Sequence, residues 1–253
     1  MSRQADPAPM QPAYVLHARP YRETSLLLEV FTRDHGRIGM VARGVRGARG
    51  QALRAVLQPL QPLLLSWSGR GELMRLSVAE PAGAALTLSG HGLLAAFYLN
   101  ELVLRLLPRG EAQTALFWRY AQCLGQLADD TASQAWELRR FERDLLAAAG
   151  YALELDAEAD GGGALDPEAR YRFDPLSGPQ RVREGTGAAG SVSGAALLAL
   201  GEDRKPDAPA LRELRRLMRE VLRHHLGGRE LRSWQVLADL AAGARAARNP
   251  DDA

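Results

Sequence analysis

The chain has 253 residues, a formal net charge of +2 and a single cysteine, Cys123. This length allows one large domain or two modest ones, each with its own hydrophobic core. One cysteine excludes an internal disulfide and a zinc site built from cysteines, which fits a reducing cytoplasm. The most apolar run, residues 93–107, is too short and too charged to span a bilayer, so no membrane contact is expected.

Short alternating segments in the first third predict a small β-barrel. Five candidate strands lie within residues 13–85, separated by glycine, proline and aspartate turn signals. This spacing is typical of a closed or nearly closed five-stranded barrel. The preceding residues 1–12 are polar and proline-rich and are expected to be disordered. The predicted strands cover residues 13–19, 25–32, 37–42, 60–67 and 73–79.

After residue 90 the hydrophobic period changes from two to about 3.6, which is typical of helices. Residues 151–190 interrupt the helical pattern as a polar, glycine-rich excursion with one hairpin-like piece at 170–175. We therefore predict an α+β chain with a barrel domain at 13–85, a helical domain at 86–243 and a disordered tail at 244–253. The predicted helices cover residues 93–107, 113–127, 133–149, 193–200, 207–226 and 230–242.

Positive charge is concentrated in the predicted barrel. Residues 1–85 contain 11 arginines and 6 acidic residues, whereas the remainder contains 21 basic and 24 acidic residues. From His35 to Gly71 there are six arginines and no acidic residue. Between Arg43 and Gly50, arginine and glycine recur every three residues, which predicts an exposed, flexible loop between strands three and four. Such uncompensated charge favours an anionic partner, and a phosphate backbone fits best.

Small five-stranded barrels bind single-stranded nucleic acid through a basic groove and exposed aromatic rings. The loop arginines are therefore predicted to contact phosphates, and four further arginines extend the track if they lie on the same face. Tyr21 is the favoured stacking platform, Phe31 fits the core better, and Trp67 fits core and surface about equally. The predicted DNA-binding residues are Arg22, Arg37, Arg43, Arg46, Arg49, Arg54, Arg70, Tyr21 and Trp67.

No motif in the sequence predicts catalysis, a metal or a cofactor. Residues 185–190 match G-x-G-x-x-G, but no buried strand precedes them, so a flexible linker is expected. Residues 156–161 resemble the start of a calcium loop, yet Pro167 stands where the bidentate glutamate belongs. The histidines lack metal-ligand spacing, and no nucleophile or two-metal carboxylate cluster is visible. We expect a protein that is not an enzyme.

Several segments together resemble the RecO family of bacterial recombination mediators. The segments are Tyr14–Leu28, Phe31–Arg37, Val41–Val45, Leu57–Leu60, Phe97–Leu102, Leu138–Glu142, Leu145–Tyr151 and Arg170–Asp174. The resemblance covers nearly the whole chain and implies an OB-fold followed by a helical domain. It also implies binding of single- and double-stranded DNA, strand annealing and a nucleoid-associated location. Partners implied by it are RecR, and through it RecF and RecA, so that recombinase is loaded onto DNA coated by single-stranded DNA-binding protein (SSB).

The resemblance further implies that the helical domain binds the acidic C-terminal tail of SSB. Such a tail needs an apolar pocket rimmed by arginine, which the helices predicted at 133–149 and 207–226 could offer. Both charged faces could equally be solvated surfaces. The candidate residues for the SSB tail are Arg139, Arg140, Arg143 and Arg216.

Some members of the family carry a four-cysteine zinc site in the region matching 151–190. This sequence has no cysteine there, so zinc is not expected, and the region must be held by other contacts or be mobile. Two alternatives to a DNA-annealing mediator stay open. One is a protein-interaction adaptor whose DNA binding is incidental, and the other is a nuclease without a recognisable motif.

Overall fold

The computed structural model describes residues 9–47, 49–129, 131–183 and 190–236. These residues form two compact units, one of 9–129 with 231–236 and the other of 131–230. The first unit contains a barrel and two long helices, and the second contains three helices and a small sheet. The predicted tail at 244–253, residues 1–8 and most of the glycine motif at 185–190 lie outside the described residues.

The N-terminal barrel closes in the strand order β1-β2-β3-β5-β4. β3 runs parallel to β5, while every other neighbouring pair is antiparallel and β1 closes the barrel against β4. The five-stranded OB-fold followed by a helical region is thus confirmed. Its strands are β1 (Gln11–Tyr21), β2 (Ser25–Thr32), β3 (Gly36–Ala42), β4 (Pro62–Ser68) and β5 (Leu73–Pro81).

Side chains alternate in direction along β2 and β3, and those that point inward fill the barrel interior. Leu26, Leu28 and Val30 point inward from β2, so the residues between them point outward. A short helix, α1 (Gln51–Val56), packs its partly buried Leu53 and Val56 against this core. The sequence pattern did not predict α1, because six residues are too few to show a helical period.

Two helices of the first unit, α2 (Gly90–Leu106) and α3 (Thr114–Asp129), pack beside the barrel. α3 covers the outward side chains Tyr14 of β1 and Phe31 of β2. The Tyr14 ring meets the Tyr120 ring edge-on at 5.1 Å between centroids, and Phe31 meets Phe117 at 5.5 Å. Aromatic pairs in this geometry favour contact beyond their buried area. One part of the outer barrel face is therefore closed to solvent.

A buried polar contact joins these helices to β1. The pairing of β1 with β2 shifts register between Val15 and His17, which places Leu16 outside the ladder. The side-chain amide of Asn100 on α2 donates to the Leu16 carbonyl at 2.9 Å. The hydroxyl of Tyr120 on α3 donates in turn to the Asn100 side-chain oxygen. Burial raises the pKa of Tyr120 well above its ordinary value, so the hydroxyl stays protonated as a donor.

The second unit combines three helices with a three-stranded sheet in the order β7-β6-β8. The sequence predicted only a hairpin-like piece there, and β6 and β7 form that hairpin. The helix predicted from residue 133 already begins at Thr131. The elements are α4 (Thr131–Ala148), β6 (Arg170–Asp174), β7 (Gly178–Arg181), β8 (Val192–Ser193), α5 (Gly194–Gly201) and α6 (Ala208–His225).

A polar network holds the loop-rich region before β6. The fully buried Tyr171 donates its hydroxyl to Glu158 at 2.9 Å and accepts from the Asp166 amide at 2.9 Å. Arg181 on β7 pairs with Asp166 at 2.6 Å and with Glu158 at 3.4 Å. Across the described residues, no three His, Cys, Asp or Glu side chains are grouped as a metal site. None of the described helices is both long and apolar enough to cross a membrane.

We predict that Asn100→Leu destabilises the first unit by about 1–3 kcal/mol, because the Leu16 carbonyl and the Tyr120 hydroxyl both lose a buried partner. The measurement is urea unfolding followed by circular dichroism. Gln51→Leu makes a similar amide-to-apolar change at an exposed position and should shift the midpoint far less. Equal midpoints for the two variants would contradict the role given to Asn100.

Candidate nucleic-acid interface

Two connections meet at one end of the barrel: the β1–β2 turn at 22–24 and the β3–α1 loop at 43–50. The backbone amide of Arg46 donates to the Thr24 carbonyl at 2.9 Å, and the Arg46 guanidinium donates to the Arg22 carbonyl at 3.3 Å. The Arg22 guanidinium lies 5.2 Å from the centre of the Tyr21 ring, within the range of a cation–π contact. Three predicted residues, Tyr21, Arg22 and Arg46, are therefore brought together.

Hydrogen-bonded turns and one buried side chain shape the described part of the β3–α1 loop. Val45 is only 1% exposed and belongs to the barrel core, so it attaches the loop to the barrel. Gly47 donates to Gly44 at 3.2 Å and Gly50 donates to Gly47 at 2.9 Å, which closes successive turns. A side chain at Gly50 would overlap the Gly44 carbonyl oxygen, so that glycine is required by close packing. These contacts join the described residues of the loop to the barrel, and the flexibility of the loop stays a prediction.

The described arginines of this loop point into solvent. Arg43, Arg46 and Arg49 are all exposed, and none of them forms an ion pair within the described part of the chain. Uncompensated guanidinium groups suit phosphate contacts, which position a nucleic acid without reading its sequence. The loop thus has the exposed positive charge that a DNA-binding surface requires.

Arg54 adds positive charge directly after the loop, whereas Arg70 lies in the β4–β5 turn, toward the opposite end of β3. Arg54 lies on α1, which follows the loop directly, and its amide donates to the Gly50 carbonyl at 2.9 Å. Arg70 lies in the β4–β5 turn between Gly69 and Gly71, both of which have positive φ. Both arginines are exposed. In OB-folds the β1–β2 and β4–β5 loops border the face that binds oligonucleotides.

Arg37 differs from the arginines of the β3–α1 loop because it lies at the opposite end of β3. It pairs in register with Phe31, about 17 Å along the strand from Ala42. Its side chain is half-buried and forms an ion pair with Glu29 at 3.5 Å, while Arg109 also bonds Glu29. Burial lowers the pKa of Arg37, and the Glu29 charge opposes that effect. These contacts indicate that Arg37 mainly stabilises the sheet against the α2–α3 connection.

Trp67 requires a correction, because it cannot serve as a platform for base stacking. Its side chain is 4% exposed and lies in the barrel core, with His35 edge-on at 5.2 Å. The alternation of β4 explains this position, since Leu63, Leu65 and Trp67 all point inward. Tyr21, which is half-buried, remains the candidate aromatic residue at this end of the barrel.

Two exposed arginines that the sequence prediction missed lie on the outer face of the sheet. Arg19 is opposite Leu27, Leu27 is opposite Val41, and Val41 is opposite Arg75. Residues directly opposite each other project to the same face, so these four side chains form one outward row. Alternation along β1 could have shown that Arg19 points outward. The position of Arg75 depends on the parallel pairing of β3 with β5, which the sequence does not reveal.

In the second unit, three of the four residues predicted for the SSB tail are already paired with acidic side chains. Arg139 is buried and bonds Glu142 at 2.7 Å. Arg140 bonds Asp203 at 2.8 Å, and Arg143 bonds the same carboxylate at 3.1 Å. These arginines are therefore corrected to structural contacts of α4, because their charges are neutralised within the unit.

Arg216, the fourth residue, is exposed on α6. It belongs to a stripe of exposed arginines spaced three and four residues apart, opposite the buried face of the helix. At the end of α6 a surface cavity of about 490 Å³ is lined by Phe173, Pro175, Arg223 and His224 among others. The exposed stripe consists of Arg212, Arg216, Arg219 and Arg223.

Comparison with known proteins identifies the chain. The protein-family model "Recombination protein O N terminal" matches residues 10–85, and the family model "Recombination protein O C terminal" matches residues 88–235. The chain belongs to the recombination protein O family. The match to the first model covers the barrel, and the second begins just before α2.

Relatives in this family cover nearly the same length. "DNA repair protein RecO" of Xanthomonas euvesicatoria pv. vesicatoria is 54% identical over 231 residues, which is 90% of this chain and 95% of the relative. The protein of that name from Xanthomonas oryzae pv. oryzae is 52% identical with the same coverage. That from Stenotrophomonas maltophilia is 51% identical over 230 residues, again 90% and 95% of the two chains.

His225, at the end of α6, makes the second unit sensitive to pH. Its ring stacks on Tyr151 at 4.2 Å between centroids, and its Nε2 is buried with no hydrogen-bond partner among the described residues. Burial, and then the neighbouring charge of His224, lower the pKa of His225 below the ordinary 6.5. The unfolded chain therefore binds a proton more readily than the folded unit. Stability contributed by neutral His225 is present above about pH 6.5 and is lost as the pH falls toward the lower folded pKa.

The free energy of unfolding of the wild-type protein should fall as the pH is lowered from about 6.5. We predict that it falls less steeply in His225→Gln, because that variant has no buried imidazole to protonate. The measurement is chemical unfolding at a series of pH values. His91→Gln, an exposed histidine on α2, serves as the control and should keep the wild-type slope. A wild-type slope in the His225 variant would contradict this assignment.

Proposed function

We propose that the chain is a non-enzymatic DNA repair mediator that binds single- and double-stranded DNA and anneals complementary strands in the nucleoid. One observation carries the proposal: the β3–α1 loop, held to the core at Val45, and the β1–β2 turn beside it carry exposed arginines that form no ion pair within the described residues. Membership of the recombination protein O family supports the same function. The proposed contacts are Tyr21, Arg22, Arg43, Arg46, Arg49, Arg54 and Arg70, with Arg37 as an indirect support.

The charge distribution favours contacts with the DNA backbone. Guanidinium groups on turns reach phosphate oxygens bidentately, and such contacts carry no sequence information. Neutralising phosphates releases counterions, so affinity falls steeply as salt rises. Binding of this kind requires neither nucleotide hydrolysis nor a metal ion. Annealing is therefore proposed to proceed without ATP and without Mg²⁺.

We predict that replacing Arg43, Arg46 and Arg49 with Ala weakens binding to single-stranded DNA and flattens its salt dependence. Each lost phosphate contact should reduce the slope of log affinity against log salt by about 0.7. Fluorescence anisotropy with a labelled oligonucleotide across a salt series gives both quantities. The control replaces Arg172, Arg204 and Arg229, three exposed arginines of the second unit, so that the net charge changes equally.

The same variant separates the mediator from a protein-interaction adaptor. An adaptor would lose a partner complex while its DNA affinity and salt slope stayed at wild-type values. Incubating labelled DNA with the wild-type protein and Mg²⁺ or Mn²⁺ tests the remaining alternative, a nuclease. We expect no cleavage, and a metal-dependent product ladder would overturn the non-enzymatic proposal.

We also propose that the chain helps to load recombinase onto SSB-coated DNA, with RecR as partner and, through it, RecF and RecA. The SSB tail is proposed to bind along α6. The basic stripe containing Arg216 attracts the acidic residues of the tail, and the cavity beside Phe173 and Pro175 can accept its apolar end. The arginines of α4 are excluded from this site because Glu142 and Asp203 already neutralise them.

We predict that Arg216→Glu weakens binding of an SSB tail peptide by about tenfold or more, since hydrogen bonds between charged groups contribute about 1.5–3 kcal/mol. Isothermal titration calorimetry with the isolated peptide measures the effect. Arg204→Glu reverses a charge on an exposed arginine before α6 and should bind the peptide like the wild type. Equal affinities of the two variants would place the tail elsewhere.

A further inference from the structure

We propose that the barrel holds a single DNA strand by its phosphates, with the bases turned away from the protein. This inference rests on the DNA binding proposed above and adds the orientation of the bound strand. It also adds two contact residues, Arg19 and Arg75, on the outer face of the sheet.

The outer face carries positive charge at its edges. Arg19 on β1 and Arg75 on β5 are separated by β2 and β3, which places their backbones about 14 Å apart. Between them lie Leu27, 9% exposed, and the half-buried Val41. Both arginines are exposed, and neither forms an ion pair within the described part of the chain.

The row of Arg19 and Arg75 continues into the arginine loop. Tyr21 and its partner Ser25 lie two residues farther along the strands, about 7 Å from the row. Arg43 follows the last residue of β3 at this same end. One nucleotide step of an extended strand spans a similar length. Successive phosphates could therefore reach the row and then the loop.

Acidic side chains near this face are outnumbered by its exposed arginines. Glu23 in the β1–β2 turn and Glu72 before β5 are exposed, and neither forms an ion pair within the described residues. Glu29, on the next outward row, bonds both Arg37 and Arg109. Because one carboxylate faces two guanidinium groups, the cluster of Glu29, Arg37 and Arg109 has a net charge of one positive unit. The face as a whole therefore favours an anion.

Aromatic platforms for the bases are nearly absent from this face among the described residues. Trp67 points into the barrel, and α3 covers Tyr14 and Phe31. Tyr21 is left, and its ring already contacts the guanidinium of Arg22. Barrels that bind single strands through their bases use several exposed rings. This face offers guanidinium groups in place of rings, so the backbone and not the bases is the part it recognises.

The orientation provides a physical route to annealing. A strand held by its phosphates presents the pairing edges of its bases to solvent, where a complementary strand can reach them. Because no ring has to release a base, pairing does not compete with protein contacts. The protein lowers the repulsion between the two backbones by its positive charge.

The test compares an oligodeoxynucleotide with an abasic strand of the same length and phosphate number. Both carry the same fluorescent label, and binding to the full-length protein is measured by anisotropy. We expect the abasic strand to bind less than about fivefold more weakly, because the charges it presents are unchanged. A loss of fivefold or more overturns the phosphate-held orientation while leaving DNA binding intact. Failure of the intact strand to bind would instead overturn the proposed function itself.

The double variant Arg19→Ala with Arg75→Ala tests the two new contacts. It should weaken both probes by the same factor and lower the salt slope by about 1.4, the effect of two phosphates. The control variant Arg172→Ala with Arg204→Ala removes the same charge from exposed positions in the second unit. An affinity equal to that of the control overturns the assignment of Arg19 and Arg75.

Aromatic variants test the same orientation independently. Tyr21→Ala, at a proposed contact, should weaken the intact and the abasic strand by the same factor, and Trp118→Ala, at a ring on α3 that is 53% exposed, should change affinity for the intact strand by less than about twofold. A larger loss that is seen with the intact strand and not with the abasic one shows base stacking. That result overturns the proposal. Circular dichroism confirms that each variant keeps its fold.

Discussion

The hydrogen bond from Asn100 to the Leu16 carbonyl is the contact on which the arrangement of the first unit depends. The register shift in β1 exposes a backbone acceptor that β2 does not pair, and a buried acceptor without a partner is costly. Asn100 satisfies it and is itself held by Tyr120, so α2 and α3 are fixed over one part of the barrel. That placement decides which part of the outer face stays open to a ligand.

The path of the arginine loop depends on packing as well as on its composition. Glycine and arginine by themselves do not determine where the loop lies, but Val45 occupies the core and Arg46 bonds the neighbouring turn at Thr24. These two contacts place the loop beside the β1–β2 turn, so the exposed arginines of both connections lie at one end of the barrel. Like charges that are close together favour an anionic ligand.

The sequence was sufficient for elements whose signal is local. Alternation in Ser25–Thr32 and helical periods after residue 90 predicted the strands and helices, and their order predicted the barrel. The predictions that failed concerned side chains whose positions depend on contacts between residues distant in the sequence. Trp67 has the same local pattern as an exposed ring, and only closure of the barrel buries it. Arg140 resembles a solvated helix residue until Asp203, 63 residues away, is brought against it.

The arginines of α4 and those of the barrel loop differ in their ion pairing, and this difference indicates that the barrel charges serve ligand binding. On α4, Arg139, Arg140 and Arg143 are matched with carboxylates, which is the arrangement expected when charges serve stability. At the end of the barrel, Arg43 and Arg49 have no such partners among the described residues, and clustered like charges oppose the compact state. An anion that binds across the loop and the sheet would remove this repulsion, so the free energy lost in folding is recovered when the ligand binds.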